Sequence, residues 1–300
     1  MTVELRGIIG PVVTPFESAG GGIAREAFGI NIAAHLEEGL SGVLVAGSTG
    51  EAALLDEDER RELTEIARAR VPSDRLLLVG IGAESTRATV ARARDAAERG
   101  ADAVLVVAPH YYGSAMTDEA LNAHYRRVAD ESPVPVMLYN IPKYMHFALS
   151  PRLVSELARH ENIIGMKDSS GDIELLTQYI ALGSESFTVL TGHAGTLLPA
   201  LRMGAGGAIL AASLFAAPLA LEVCDAFDAG DDARGSSAQE RLTPLNREVV
   251  GTLGVPGIKA ALDLIGLAGG DPRAPLHPLP ASGRDRVADL IRAAGMVRAA

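Results

Sequence analysis

The sequence predicts an α/β fold, a (β/α)8 barrel of the TIM type with additional helices at its C-terminal end. Three observations predict it. Eight short apolar runs recur along the chain with ends spaced about 20 to 35 residues apart, which suits one strand, one helix and two short loops per unit. The runs are nearly continuous rather than alternating, as strands buried on both faces must be. An open doubly wound sheet is the competing arrangement, and the G-x-G-x-x-G turn it would carry after its first strand is absent.

Taken in order, Ile8 to Val13 is the first strand, closed by Thr14-Pro15, and Gly20-Gly21-Gly22 makes a loop before a helix rich in Ala and Ile. Gly42 to Ala46 is the second strand and runs into Gly47-Ser48-Thr49-Gly50-Glu51. Asp56 with Glu59 three residues on has the spacing of a capping box and starts the next helix. Leu76 to Val79 is the third strand, followed by an Ala/Arg-rich helix from Thr86 to Arg99 that Gly100 ends. Val104 to Ala108 is the fourth and leads into Pro109-His110-Tyr111-Tyr112. Val134 to Tyr139 is the fifth, with Pro151 placed to begin a helix. The sixth ends at Lys167. Phe187 to Leu190 and Gly207 to Leu210 are the seventh and eighth. The expected division is a barrel over 1–224 and a helical extension over 225–300 packed on it, with Asp228 to Ser237 a polar loop between helices.

Bulk properties narrow the function. A chain of 300 residues, 48% hydrophobic and 22% charged, can bury a large core. A net charge of −11 and a pI near 5.1 argue against nucleic acid or an anionic membrane as partner. Gly204 to Leu221 carries no charge and is long enough to span a bilayer, but its glycines and Pro218 make it read as turn, strand, turn and helix start. Cys224 is the only cysteine, so no intrachain disulfide forms, and the cytoplasm is the expected compartment.

In a barrel the reactive groups belong at the carboxyl ends of the strands. Of 27 basic residues only three are lysine, and one of them, Lys167, closes the sixth strand. An arginine stays protonated, whereas a desolvated ε-amine can attack a carbonyl and form a Schiff base. The plainer alternative is a strand-end lysine paired with Asp168. Ser48 and Thr49 follow strand two, Tyr111 and Tyr112 strand four, Tyr139 ends strand five and Gly192 follows strand seven. With only 6 tyrosines in the chain, three at such places carry weight. The set suits 2-oxo acid chemistry, with Lys167 as electron sink, Tyr139 moving the proton with Thr49 and Tyr111 as relays, and the Ser48-Thr49 turn holding a carboxylate. An ordinary βα turn would read the same as GSTGE. No cofactor and no metal is expected, because the histidines are scattered. A pyridoxal-phosphate barrel is a rival that would be yellow.

Four motifs, GSTGE at 47–51, PHYY at 109–112, LYNIP at 138–142 and IIGMKDSSGD at 163–172, make the chain resemble the dihydrodipicolinate synthase and N-acetylneuraminate lyase family of class I aldolases over most of its length. The resemblance implies Lys167 as the Schiff-base lysine, Tyr139 as the proton-transferring phenol, and Ser48 and Thr49 as carboxylate-binding and relay hydroxyls. It implies Tyr111 as a relay tyrosine that can reach in from a neighbouring subunit, with Tyr112 as the fallback. Gly192 and Ile209 would line the pocket through backbone. The implied partners are a small 2-oxo acid and an aldehyde, and the implied assembly is a homotetramer or a tight homodimer.

One loop departs from the pattern. Synthases of the family carry an arginine after LYNIP that binds the second substrate's carboxylate, and Tyr144 stands at that place here beside Lys143. The runs MKDSSGD and LTGHAG look more like 4-hydroxy-2-oxoglutarate and 2-keto-3-deoxy sugar acid aldolases. Reversible aldol cleavage of a 4-hydroxy-2-oxo acid is therefore the expected reaction. Dihydrodipicolinate synthase, joining pyruvate to aspartate semialdehyde, is one alternative, and a catalytically idle binding barrel is another.

Overall fold

A computed structural model describes residues 3–17 and 21–296, so Gly20 of the first predicted loop and the last four residues lie outside it. Eight parallel strands close on themselves in chain order: β1 (Gly7–Pro11), β2 (Gly42–Val45), β3 (Leu76–Gly80), β4 (Ala103–Val107), β5 (Val136–Asn140), β6 (Ile163–Asp168), β7 (Thr188–Thr191) and β8 (Gly207–Ile209). β1 pairs with both β2 and β8, which closes the barrel and leaves no sheet edge. All eight predicted strands are present, with ends moved by a residue or two. Their side chains are buried because the barrel interior covers one face and the helices cover the other.

The helices obey their local signals. α1 (Arg25–Glu37) follows β1. α2 (Glu57–Arg70) starts with the predicted capping box: Asp56 Oδ1 accepts the Glu59 N–H at 2.9 Å, and Glu59 Oε2 accepts the Asp56 N–H at 3.0 Å. α3 (Thr86–Glu98) ends before Gly100, whose φ of +83° turns the chain into β4. α4 (Asp118–Glu131), the short α5 (Pro142–Met145) and α6 (Pro151–Leu157) follow, the last beginning at the predicted proline behind a Ser150 cap. α7 (Ile173–Ile180) and α8 (Leu197–Arg202) cover the next two strands.

α9 (Ser213–Asp228) breaks at Ala216, where φ is −140°, and restarts with Pro218 in the new first turn, where its missing N–H costs nothing. No helix among the described residues is long and apolar enough to cross a membrane. The predicted polar loop over Asp228 to Ser237 is corrected: α10 (Asp232–Leu245) starts inside it. Asp231 is the N-cap, accepting the Arg234 N–H at 3.0 Å, and Gly235 and Ala238 face inward. α11 (Gly254–Leu264) and α12 (Ala281–Ala293) complete the chain. Between α10 and α11, Asn246–Thr252 winds as a π-helix, a form that concentrates at functional sites.

Candidate active site

Strand register brings Lys167 and Tyr139 together. Their Cα positions pair across β5 and β6, so both side chains leave the sheet on the same side, toward the barrel mouth. Lys167 Nζ stands 3.3 Å from the Tyr139 hydroxyl and 4.3 Å from the ring centroid. Both residues are buried, at 5% and 4% exposure. Asp168 points the other way. Its Oδ1 accepts from Asn140 Nδ2 at 2.7 Å and its Oδ2 from Ser170 Oγ at 2.7 Å. Burial pushes the Asp168 carboxyl above its usual range, against those hydrogen bonds. The plainer alternative of a Lys167–Asp168 pair is thereby excluded, and no described carboxylate holds the Lys167 nitrogen.

Gly192 is on β7's exit because nothing larger fits. A Cβ there would lie 1.9 Å from Ser169 Oγ and 2.8 Å from Lys167 Cε. The lysine stem therefore packs directly against backbone.

The turn after β2 is strained into shape and bolted from behind. Ala46 and Glu51 both take left-handed φ values, 50° and 58°, on either side of the 3-10 turn Ser48–Gly50. Thr14 Oγ1 donates to the Gly50 carbonyl at 2.8 Å. Glu51 is the bolt. Its Oε1 meets Lys259 Nζ of α11 at 2.6 Å with both side chains fully buried, and its Oε2 accepts the Arg273 N–H at 2.8 Å. Arg273 in turn grips both Glu59 oxygens at 2.6 Å, and the Lys259 nitrogen and the Arg273 guanidinium stand 4.6 and 4.1 Å from the centre of the Phe16 ring. Ser48 and Thr49 line the cavity, and their hydroxyls have no protein partner among the described residues.

The C-terminal segment builds the remaining wall. Asn246, Val250 and Gly251 of the π-helix and Gly254, Val255 and Ile258 of α11 line the same cavity as Lys167, Tyr139, Ile209 and Ser48. None of the six ends a strand, so none stands out in the sequence as a site residue. Their one sequence signal was the glycine spacing around Pro256: Gly254 takes a φ of +63°, and a Cβ on Gly257 would lie 2.7 Å from the Val249 carbonyl oxygen. The cavity encloses about 120 Å³, and since a single water needs about 10–15 Å³ it takes about eight water-sized groups or more, enough for a small 2-oxo acid with a short aldehyde beside it. Among the described residues, no group of three or more His, Cys, Asp or Glu side chains is placed to hold a metal ion.

A model of the dihydrodipicolinate synthetase family matches residues 4–294. The chain belongs to that family. It is 37% identical over 286 residues to the 4-hydroxy-tetrahydrodipicolinate synthase of Synechococcus sp. strain CC9311, covering 94% of this chain and 93% of the relative. With the Methanopyrus kandleri protein of the same name it shares 32% over 293 residues, 97% and 96% of the two chains. Among solved structures, a prophage protein of the family from E. coli K12 in complex with pyruvate superposes with a TM-score of 0.92 at 29% identity, over 98% of this chain and 100% of that one. The Acinetobacter baumannii synthase complexed with pyruvate gives 0.92 at 28%, over 97% and 99%. The chain is accordingly a class I, Schiff-base aldolase by family. The curated relatives are named as synthases, and these names do not favour the nearness to hydroxy-oxoglutarate and sugar acid aldolases that the loop residues suggest.

Within the family chain, the remaining predicted residues divide. Ile209 on β8 and Tyr144 on α5 line the cavity, and desolvation with Tyr139 nearby holds the Tyr144 phenol above its ordinary range. Lys143 Nζ donates to the Gly251 carbonyl at 2.9 Å across the mouth. Tyr111 does not join the site of its own chain. Glu84 Oε2 accepts the N–H groups of His110 and Tyr111 at 3.0 and 2.9 Å and holds this loop outside, leaving Tyr111 and Tyr112 at 78% and 68% exposure with their rings edge to face. Among the histidines on loops that follow strands, His193 lines the cavity, while His146 and His110 do not.

Proposed function

We propose that the chain catalyses reversible aldol chemistry on pyruvate or a related 2-oxo acid through a Schiff base at Lys167. The observation that carries the proposal is a buried lysine nitrogen with no carboxylate partner, 3.3 Å from a buried phenol at the closed end of a small pocket. The Lys167 amine adds to the C2 ketone and water leaves, giving an iminium. Loss of a C3 proton converts it to an enamine. The enamine carbon attacks an aldehyde, whose oxygen takes up a proton, and returning water releases a 4-hydroxy-2-oxo acid and the free amine. The iminium is the electron sink, so the chemistry calls for no cofactor. Proton transfer is assigned to Tyr139, whose hydroxyl lies 3.3 Å from Lys167 Nζ. Ser48 and Thr49, with hydroxyls uncommitted to protein, are assigned to the substrate carboxylate. Tyr111 enters as a relay only from a neighbouring copy, in a homodimer or homotetramer. The cytoplasm remains the expected compartment.

Cleavage or formation of a 4-hydroxy-2-oxo acid such as 4-hydroxy-2-oxoglutarate or a 2-keto-3-deoxy sugar acid is the first reading; it is supported by Lys143 and Tyr144 lining the cavity, in the loop where the family resemblance puts a synthase's planar guanidinium. The names of the relatives favour the second reading, condensation of pyruvate with aspartate semialdehyde. Borohydride trapping with pyruvate tests the shared step, by a mass increment on the peptide containing Lys167. Its absence, under conditions where a family enzyme is labelled, would leave an idle barrel. Initial rates with 4-hydroxy-2-oxoglutarate, 2-keto-3-deoxygluconate and pyruvate plus aspartate semialdehyde then separate the two reactions.

A further inference from the structure

The far end of the pocket is a fixed neutral pair. Asn246 is 4% exposed, and its Oδ1 accepts the Ala194 N–H at 3.2 Å. That contact settles which end of the amide is oxygen, so the NH2 group faces His193 Nε2, 2.9 Å away. Burial holds the imidazole below its usual range, so near neutrality it is uncharged, accepts at Nε2 and carries its proton on Nδ1. The ring packs over glycine on two sides: a Cβ on Gly171 would sit 3.1 Å from it and one on Gly195 2.9 Å, so neither position admits a side chain without displacing the imidazole. One amide N–H is thus spent on His193, and the other has no protein acceptor among the described residues.

The charges around this pair are one-sided. The described residues lining the cavity include Lys143 and Lys167 but no aspartate, glutamate or arginine. Such a wall offers hydrogen-bond donors and positive charge to an anion, and offers an ammonium group hydroxyl and carbonyl oxygens but no counter-charge. A substrate cation brought here would lose its water without gaining a counter-charge.

We infer that Asn246, held in one orientation by His193 and Ala194, is a specificity-determining residue, and that with Lys143 it makes the site select an aldehyde bearing a carboxylate and no amine. This rests on the reading of Lys167 as the Schiff-base nucleophile. The product is then a 4-hydroxy-2-oxo dicarboxylic acid, formed by the bond changes given above. A polar aldehyde without charge fills the same space but leaves the amide and lysine donors without a strong acceptor.

The experiment uses the full chain. Trapping with pyruvate and borohydride comes first, and failure to label Lys167 overturns both the nucleophile and this inference. With labelling in hand, pyruvate consumption is followed with four aldehydes: glyoxylate, succinate semialdehyde, aspartate 4-semialdehyde, which is succinate semialdehyde with one added amine, and uncharged butanal. At least one amine-free acid is expected to exceed both the aminated and the uncharged aldehyde in kcat/KM by about tenfold or more. Preference for aspartate semialdehyde, or no preference, overturns the inference and leaves the Schiff base standing. Asn246→Asp keeps the oxygen that Ala194 needs and places a negative charge at the pair. It is expected to raise KM for the preferred acid aldehyde by about tenfold while moving KM for butanal by less than about threefold. Equal shifts in the two would make Asn246 merely structural. Lys143→Met, at an exposed position, gives the same comparison if the first variant does not fold.

Discussion

Removing one side of the Glu51–Lys259 pair should cost far more than removing both. At 2.6 Å the gross attraction is about 6 kcal/mol for an effective dielectric of about 20. Desolvating two ions costs several kcal/mol each, so the net worth of the pair against neutral groups of the same size is near zero. Lys259→Met strands the Glu51 carboxylate with only the Arg273 N–H, and Glu51→Gln strands the ammonium with the Asp271 carbonyl at 2.9 Å. Each single variant is expected to lose about 3–5 kcal/mol, and the double variant less than about 2 kcal/mol. Urea unfolding followed by circular dichroism measures all four proteins. Because Glu51 also anchors the Ser48–Thr49 turn, the double variant should fold yet show a raised KM for pyruvate. Additive losses in the double variant, or single variants within about 1 kcal/mol of the parent, would refute the view that this contact is a mutually dependent buried pair.

Three other outcomes follow from the site and the core. Lys167→Arg keeps the charge and loses the nucleophile, so it should fold and bind but drop turnover by at least about a thousandfold, read by pyruvate consumption and by loss of borohydride labelling. Tyr139→Phe should lower turnover by about 10²–10⁴ while labelling of Lys167 persists at a slower rate; an unchanged rate removes Tyr139 from proton transfer. His35 of α1 is fully buried with neither ring nitrogen bonded among the described residues, and burial lowers its pKa to about 4. The folded form therefore resists a proton that the unfolded chain takes near pH 6.5, so stability is full above that pH and falls toward pH 4. His35→Met should lose about 2–3 kcal/mol less than the parent between pH 7 and 4.5, by urea unfolding at each pH.

Most of the barrel was legible because its strands obey a strong constraint. A run covered on both faces must be apolar throughout, and the similar stretch from Leu214 to Leu221 is set apart by Pro218, which marks a helix start. Lys167 and Tyr139 were legible for the related reason that a polar residue ending such a run has to face the open end of the barrel. The polar stretch around Asp231 misled because the residues that cap a helix are the residues that make turns, and only the inward-facing Gly235 and Ala238 mark the difference. The C-terminal wall was illegible for a different reason. Asn246 and Val255 reach the mouth through a π-helical turn that changes which face of the segment points inward, and no fixed periodicity reports such a change. Tyr111 shows the limit for a single chain, since its motif places it on the right loop while Glu84 turns that loop outward.

The two buried lysines explain each other. Lys259 is 1% exposed and Lys167 is 5%, so burial alone does not distinguish a nucleophile from a structural cation. Lys259 has a carboxylate at 2.6 Å, a carbonyl at 2.9 Å and an aromatic face beneath it, and every one of these contacts favours the protonated form and occupies the nitrogen. Lys167 has a phenol and open cavity, and its neighbouring carboxylate is committed to Asn140 and Ser170. By fastening Asp168 away from one lysine and Glu51 onto the other, the fold leaves one of the two buried amines without a carboxylate partner and able to meet a ketone. It follows that Asn140→Ala, which releases Asp168 without touching Lys167, should damage imine formation more than its distance from the substrate suggests.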